Sequence, residues 1–222
     1  LEELRAEQAE LDADQSEVTL GDFSLRGKYF AAAPSVGQLD ANGWSIVAPS
    51  WDSSAVYVFD KLGNVRPGWP FYMPNNIWSS AAIGDLDGDG YMELAFGSNG
   101  TQFYVLRANG TEWMDGDANP STKGVFKNLL QPYNFGTPAF ADLDGDNLPE
   151  IIYGGFEGKL YAWKANGTNV PGFPLTTNGN ITCSVAVGYL DGPGDTSPEI
   201  VFATSSDSLY ILREGRLEAL VA

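Results

Sequence analysis

IGDLDGDGYMELAFGS, residues 83–98, sets Asp85, Asp87 and Asp89 on alternate positions and adds Glu93 four residues further on. Short apolar runs, Ala81-Ala82-Ile83 before and Leu94-Ala95-Phe96 after, bracket the acids as strands bracket a loop. Like charges this dense repel. Either the loop stays fully solvated or a cation sits among the carboxylates.

The stretch is one of four copies. VGQLDANGWSIVAPS (36–50), AFADLDGDNLPEIIYGG (139–155) and VAVGYLDGPGDTSPEIVFAT (185–204) align with it, placing Leu39, Leu86, Leu143 and Leu190 at one repeat position. The spacings are 47, 57 and 47 residues, a period typical of propeller blades, with about ten residues inserted in the second unit. RPGWPF (66–71) and VPGFPL (170–175) repeat as well. Each unit reads as a small-residue strand, the acidic loop, an apolar strand, a tight turn, and an alternating strand closed by an Asn-Gly hairpin. A weaker fourth strand falls at the proline segment, because proline tolerates only an edge. The expected fold is all-β, a β-propeller of four-stranded blades, with units at about 31–78, 79–135, 136–181 and 182–222. Residues 1–17, with seven acids against one Arg, read as an acidic linker or helix, and 18–27 as a strand belonging to another blade.

A tight loop can converge alternate side chains on one point. Asp85, Asp87 and Asp89 supply hard oxygens at positions one, three and five; the Tyr91 carbonyl and Glu93 follow at seven and nine. Asp142, Asp144, Asp146, the Leu148 carbonyl and Glu150 repeat the set. Roughly six to eight oxygens around one point suit Ca²⁺, whereas Mg²⁺ keeps its waters and a solvated Asp-Gly turn needs no ion. Two copies of five ligand positions favour calcium at two sites. The first unit offers Gln38, Asp40 and Asn42, then Ile46 where the last acid should stand, and is expected to be metal-free. In the fourth, Tyr189 replaces the first acid, and Asp191, Asp195 and Glu199 form a weaker third candidate.

Composition narrows the function. The 222 residues carry a net charge of −17, which excludes phosphate binding through clustered cations and hence nucleic acid as a partner. The absence of histidine removes a Ser-His-Asp triad and a His-ligated zinc. Cys183 stands alone in an apolar run and reads as an inert thiol. No run reaches the length of a membrane span.

At the acidic loops the chain resembles the FG-GAP (VCBS-type) repeat family, the blades of integrin α-subunit propellers and of many bacterial surface proteins. The resemblance covers about residues 31–215 and implies a calcium-stabilised propeller. Family rings commonly have seven blades and four are visible, so the chain reads as part of a larger seven- or eight-bladed ring.

In an up-and-down blade, loops 1–2 and 3–4 share one face and loops 2–3 and 4–1 the other. The acidic loops are 1–2 loops. Trp51, Tyr72, Trp78, Phe156 and the insert 112–134, with Trp113, are expected opposite, where irregular loops on a rigid scaffold recognise partners. Trp51, Trp78, Trp113 and Phe156 are the ligand-binding candidates, whereas Trp44, Phe59 and Trp163 are expected to pack between blades. The resulting expectation is an extracellular binding or adhesion module for a protein or glycan, without catalysis. Alternatives are a propeller of a secreted polysaccharide-active enzyme, with acid pairs such as Asp115 and Asp117, and a surface protein self-associating through blade edges.

Overall fold

The computed structural model describes residues 29–192, 197–213 and 216–220. Among these, regular structure is entirely β. The first blade is β1 (Ser35–Asp40), β2 (Gly43–Ser50), β3 (Ala55–Asp60) and β4 (Phe71–Tyr72). The second is β5 (Ala82–Gly84), β6 (Glu93–Gly97), β7 (Gln102–Arg107) and β8 (Val125–Asn128). The third is β9 (Ala139–Ala141), β10 (Glu150–Gly155), β11 (Lys159–Trp163) and β12 (Leu175–Thr176). The fourth is β13 (Ala186–Gly188), β14 (Glu199–Thr204), β15 (Ser208–Arg213) and β16 (Arg216–Leu220). Each sheet is antiparallel with strands in chain order, and the inner strands β1, β5, β9 and β13 lie beside one another in that sequence.

The two central strands of an inner blade are buried on both sides, so their sequences are apolar runs. In β6 and β7, Leu94, Phe96, Tyr104 and Leu106 face the first blade, while Ala95, Phe103 and Val105 face the third. Three hydrophobic clusters result, one at each junction between consecutive blades. The repeated leucine belongs to this packing: Leu39, Leu86 and Leu143 each join the cluster shared with the next blade.

The connection between third and fourth strands locks onto the next blade. Trp69 Nε1 donates to the Ala108 carbonyl at 3.1 Å, and Trp113 Nε1 to the Ala165 carbonyl at 2.7 Å. Gly68, at φ +88°, lies so close to the second blade that a Cβ there would meet the Asn109 carbonyl oxygen at 2.1 Å. This is why RPGWPF carries its glycine.

Several expectations are corrected. The β1–β2 register pairs Gly37 with Ser45, as Gly84 pairs with Glu93. Ser45, not Ile46, therefore holds the last-acid position, because the first loop is one residue shorter than the second. The insert 112–134 does not lie on one face. Residues 108–124 connect β7 to β8 and start on the acidic-loop side, and only 129–138 return opposite. Trp113 consequently sits at a blade joint, with Arg107 stacked 4.3 Å over its ring. Trp163 packs between blades as expected, but Trp44 is exposed. The expectations for 1–17 and 18–27 and for Asp195 lie outside the described residues.

Phe103 is fully buried, its ring centroid 4.7 Å from that of Tyr153 and 5.2 Å from that of Trp163. Phe103→Ala is expected to cost about 3–5 kcal/mol in urea unfolding, whereas Leu62→Ala, exposed in the turn between β3 and β4, should stay within about 0.5 kcal/mol of wild type.

Candidate functional site

The acidic loop of the second blade hangs between β5 and β6 and is organised by its own carboxylates. Asp85 accepts from the backbone N–H of Gly88 (2.7 Å) and Gly90 (2.9 Å), Asp87 from Asp89 (3.2 Å), and Asp89 from Tyr91 (2.7 Å). Glu93, only 1% exposed, reaches back under the loop and accepts from Leu86 N–H at 3.0 Å. The loop therefore curls around its acids. One carboxylate oxygen from each of Asp85, Asp87 and Glu93 lies within 4.8 Å of the others, with Asp89 beside them and Tyr91 exposed at the rim.

The third blade repeats this geometry. Asp142 accepts from Gly145 (2.7 Å) and Asn147 (2.8 Å), Asp146 from Leu148 (2.9 Å), and Glu150 from Leu143 (2.7 Å). Asn147 takes the left-handed conformation, φ 68°, that Gly90 takes in the second blade. Here Asp142, Asp144 and Asp146 converge within 4.8 Å, while Glu150 lies buried beneath. Lys164 extends from the end of β11 onto Asp144, and lies 3.4 Å from Asp146.

A basic residue stands near the acids in every unit, and in three of them it makes an ion pair, a feature the sequence reading missed. Arg107 pairs across the sheet with Glu93. Arg213 lies 3.3 Å from Asp191 and 3.7 Å from Glu199, whose other oxygen accepts from Leu190 N–H at 2.7 Å. In the first blade Arg66 bonds Asp40 at 2.6 Å and Ser45 Oγ at 2.5 Å. Burial works against the Asp40 carboxylate, yet hydrogen bonds from Arg66 and Asn42 hold its pKa below the usual range. The signal was available: Arg107, Lys164 and Arg213 all directly follow the apolar run of the third strand.

The opposite face gathers aromatic rings from three blades. Trp51, in the β2–β3 turn, lies 5.9 Å from Trp78, which lies 6.4 Å from Phe135. Tyr133 is 6.0 Å from Phe135 and 5.6 Å from Phe156, in the β10–β11 turn. Trp78, Asn99, Tyr133 and Phe135 line a cavity of about 520 Å³. The backbone beneath is fixed by Asn76 Nδ2 on the Trp51 carbonyl (2.6 Å) and Asn134 Nδ2 on the Gly100 carbonyl (2.8 Å). Trp51 Nε1, Asn99 Oδ1, Asn134 Oδ1, Tyr153 Oη and Glu157 Oε2 are buried here with no hydrogen-bond partner among the described residues. Trp51, Trp78 and Phe156 thus share one surface and Trp113 does not; Phe135, Tyr133 and the two asparagines were not foreseen.

Residues 85–153, which hold both complete acidic loops, match the FG-GAP-like repeat. The chain carries an FG-GAP-like repeat. No curated protein sequence matches the chain. Among solved structures it resembles BBS1N in a complex with ARL6DN, at 14% identity and TM-score 0.57 over 86% of this chain and 54% of that one. The biofilm matrix protein Bap1 of V. cholerae is similar at 19% identity and TM-score 0.56, over 82% of this chain and 27% of that one. A streptogramin B lyase is similar at 14% identity and TM-score 0.55, over 88% and 55%. At these identities the likeness shows the fold, a β-propeller. The chain spans about half the length of the BBS1N chain and about a quarter of Bap1.

Within the FG-GAP-like repeat the buried glutamates carry an electrostatic load. Burial raises the Glu93 pKa to about 7; Asp87 and Asp89 add to the rise, while Leu86 N–H and Arg107 oppose it. Burial raises that of Glu150 also. Between the ordinary 4.5 and about 7 the folded metal-free chain binds more protons than the unfolded one, so its stability falls as pH rises through that window and then levels off. A cation on these carboxylates displaces the proton, so its affinity rises over the same range. The expected result is a melting temperature, measured in chelator, that declines from pH 4.5 towards neutrality. Glu93→Gln should reduce that slope and leave the Glu150 share.

Proposed function

We propose that this propeller is a calcium-stabilised extracellular binding module that holds a protein or glycan partner on its aromatic face. The observation that carries the calcium reading is the convergence of Asp85, Asp87 and Glu93, and again of Asp142, Asp144 and Asp146, over a buried glutamate. Hard oxygens clustered with net negative charge fit Ca²⁺. Asp85, Asp87, Asp89 and Glu93, with the Tyr91 carbonyl, would hold one ion; Asp142, Asp144, Asp146 and Glu150, with the Leu148 carbonyl, the second. In the fourth blade Asp191 and Glu199 form a poorer set, because Arg213 reaches both and Tyr189 supplies no carboxylate. In the first, Arg66 between Asp40 and Ser45 takes the cation's place.

The binding reading rests on the aromatic face. The exposed rings of Trp78 and Tyr133, with half-buried Trp51, Phe135 and Phe156 beside them, offer stacking surface, which suits a sugar ring or an apolar protein side chain. The complex of BBS1N with ARL6DN supports protein binding as a use of this fold, and Bap1's biofilm matrix setting supports an extracellular one. The enzyme alternative draws its support from the lyase likeness. The acid pair it named closes a turn: Asp115 and Asp117 both accept from Asn119 N–H, and Asp117 also from Thr122. No helix of the described residues is long and apolar enough to cross a membrane.

Calcium bound to the native state alone adds about 2.7 kcal/mol per site at a hundredfold excess over Kd. Chelation should therefore lower the melting temperature by several degrees, and Asp87→Asn with Asp144→Asn should abolish the response; an identical melt in chelator and in calcium rejects the ion. Separately, Trp78→Ala with Tyr133→Ala should eliminate binding to arrayed glycans or protein ectodomains while the calcium-dependent melt persists. Binding that survives this pair would place recognition elsewhere.

A further inference from the structure

The four blades have three packed junctions among the described residues, and a closed ring of four would have four. Among the described residues no further blade packs on either outer sheet face; both are apolar, and on the first only the ring of Phe30 lies edge-on to Tyr57. By register, Ile46, Ala48, Tyr57 and Phe59 of the first blade correspond to Leu94, Phe96, Tyr104 and Leu106, the residues with which the second blade meets the first. With Phe30, Ala32 and Pro34, three of these four (Ile46, Ala48 and Phe59) line an open apolar cleft. At the other end, Val201, Ala203, Leu209 and Ile211 correspond to Ile152, Gly154, Leu160 and Ala162, which lie on the side of the third blade that meets the fourth. Leu209 is 43% exposed and Leu220, paired with it on the same face, 46%.

Two single residues mark the same gap. Leu39 and Leu86 are 0% exposed because the following blade covers them; Leu190, at the same repeat position, is 56% exposed. Met92 packs into the junction with the preceding blade, and its loop N–H donates to the Leu39 carbonyl at 2.8 Å. Trp44, its counterpart before Ser45, is 57% exposed. Among the described residues no blade packs over Leu190 and none over Trp44.

We infer that two copies of this chain join head to tail, the fourth blade of each seating on the first blade of the other, to close an eight-bladed ring. The chain itself carries both halves of the interface it already makes three times internally. A trailing face of one copy therefore meets a leading face of its own kind. A heterologous contact closes into a ring only if the rotation permits, and eight blades lie within the range of closed propellers. Large apolar faces on a free monomer would otherwise invite association without limit.

The experiment is sedimentation equilibrium of the full chain in calcium. The wild type should behave as one species of two-chain mass. Ile46→Asp, on the leading face, and Leu209→Asp, on the trailing face, should each sediment as one chain with an unchanged far-UV spectrum. Mixing the two variants should restore the two-chain species, because the mixed pair has one junction damaged on both sides and one intact. If either aspartate variant fails to fold, Leu190→Ser, at an exposed position, must show the same loss. A wild-type monomer overturns the inference and leaves the faces to residues 1–28 or to further blades on a longer chain. A ladder of larger species overturns it too, as does a two-chain mass that survives every variant.

Discussion

A four-stranded sheet with apolar side chains on both faces cannot stand alone in water. Everything else in this molecule follows from stacking such sheets side by side. Fully burying a side chain the size of Leu94 or Phe96 stabilises by about 1.5–3 kcal/mol, and each inner blade offers such residues to both neighbours. Because the faces are paired by register, one pattern of large and small residues serves every junction. The large rings of Phe96 and Tyr104 meet Val47, Val56 and Val58, and those of Tyr153 and Trp163 meet Ala95 and Val105. Phe103 is the exception, stacked directly into the aromatic pair.

Stacking by faces leaves the two ends of each sheet for other tasks. At one end the inner strand must turn back within a few residues, next to the crowded axis. A buried glutamate caps that turn by accepting from the backbone N–H of the repeat leucine, in the second, third and fourth blades alike. The same glutamate then sits in a poor dielectric close to aspartates, and its charge is costly unless something positive approaches. Arg107, Lys164 and Arg213 partly answer that demand from the third strand. At the other end the turns are free of this constraint, and aromatic rings from three blades meet there.

The sequence displayed the period, the strands and the acidic loops clearly because all three are local. A run of alternate aspartates, a repeated leucine and an Asn-Gly turn each occupy a few consecutive residues. What it concealed depends on contacts across blades or on a shift of one residue. The first loop is a residue shorter than the second, so alignment on Leu39 placed Ile46 at the acid position, whereas strand pairing places Ser45 there. Arg66 is distant in sequence from Asp40, so its ion pair left no local trace. Trp113 looked like a loop-tip aromatic because β8 was invisible within the insert; once β8 is placed, the same loop runs on the acidic side. Tyr133 and Phe135 were hidden for the complementary reason, lying in a connection whose direction β8 decides.

The four loops form a graded series in how the carboxylate charge is answered. In the first blade the acids are reduced to Asp40 and a serine, and a covalently tethered guanidinium satisfies them permanently. In the fourth, Arg213 lies across the two described acids at longer range. In the third, Lys164 reaches the loop while the acids are complete. In the second, no lysine or arginine makes an ion pair with the three aspartates among the described residues, and burial pushes the Glu93 pKa up to about 7. An arginine in this position fixes the loop whatever the solution holds, whereas the aspartates of the second loop have no such tethered partner among the described residues. Arginine is also always charged and bonds two acceptors at once, as Arg66 does with Asp40 and Ser45. The first blade departs from the acidic pattern without leaving its remaining carboxylate unpaired. Three of the four carboxylates of the second loop have no counterpart there, and Arg66 answers the one that remains.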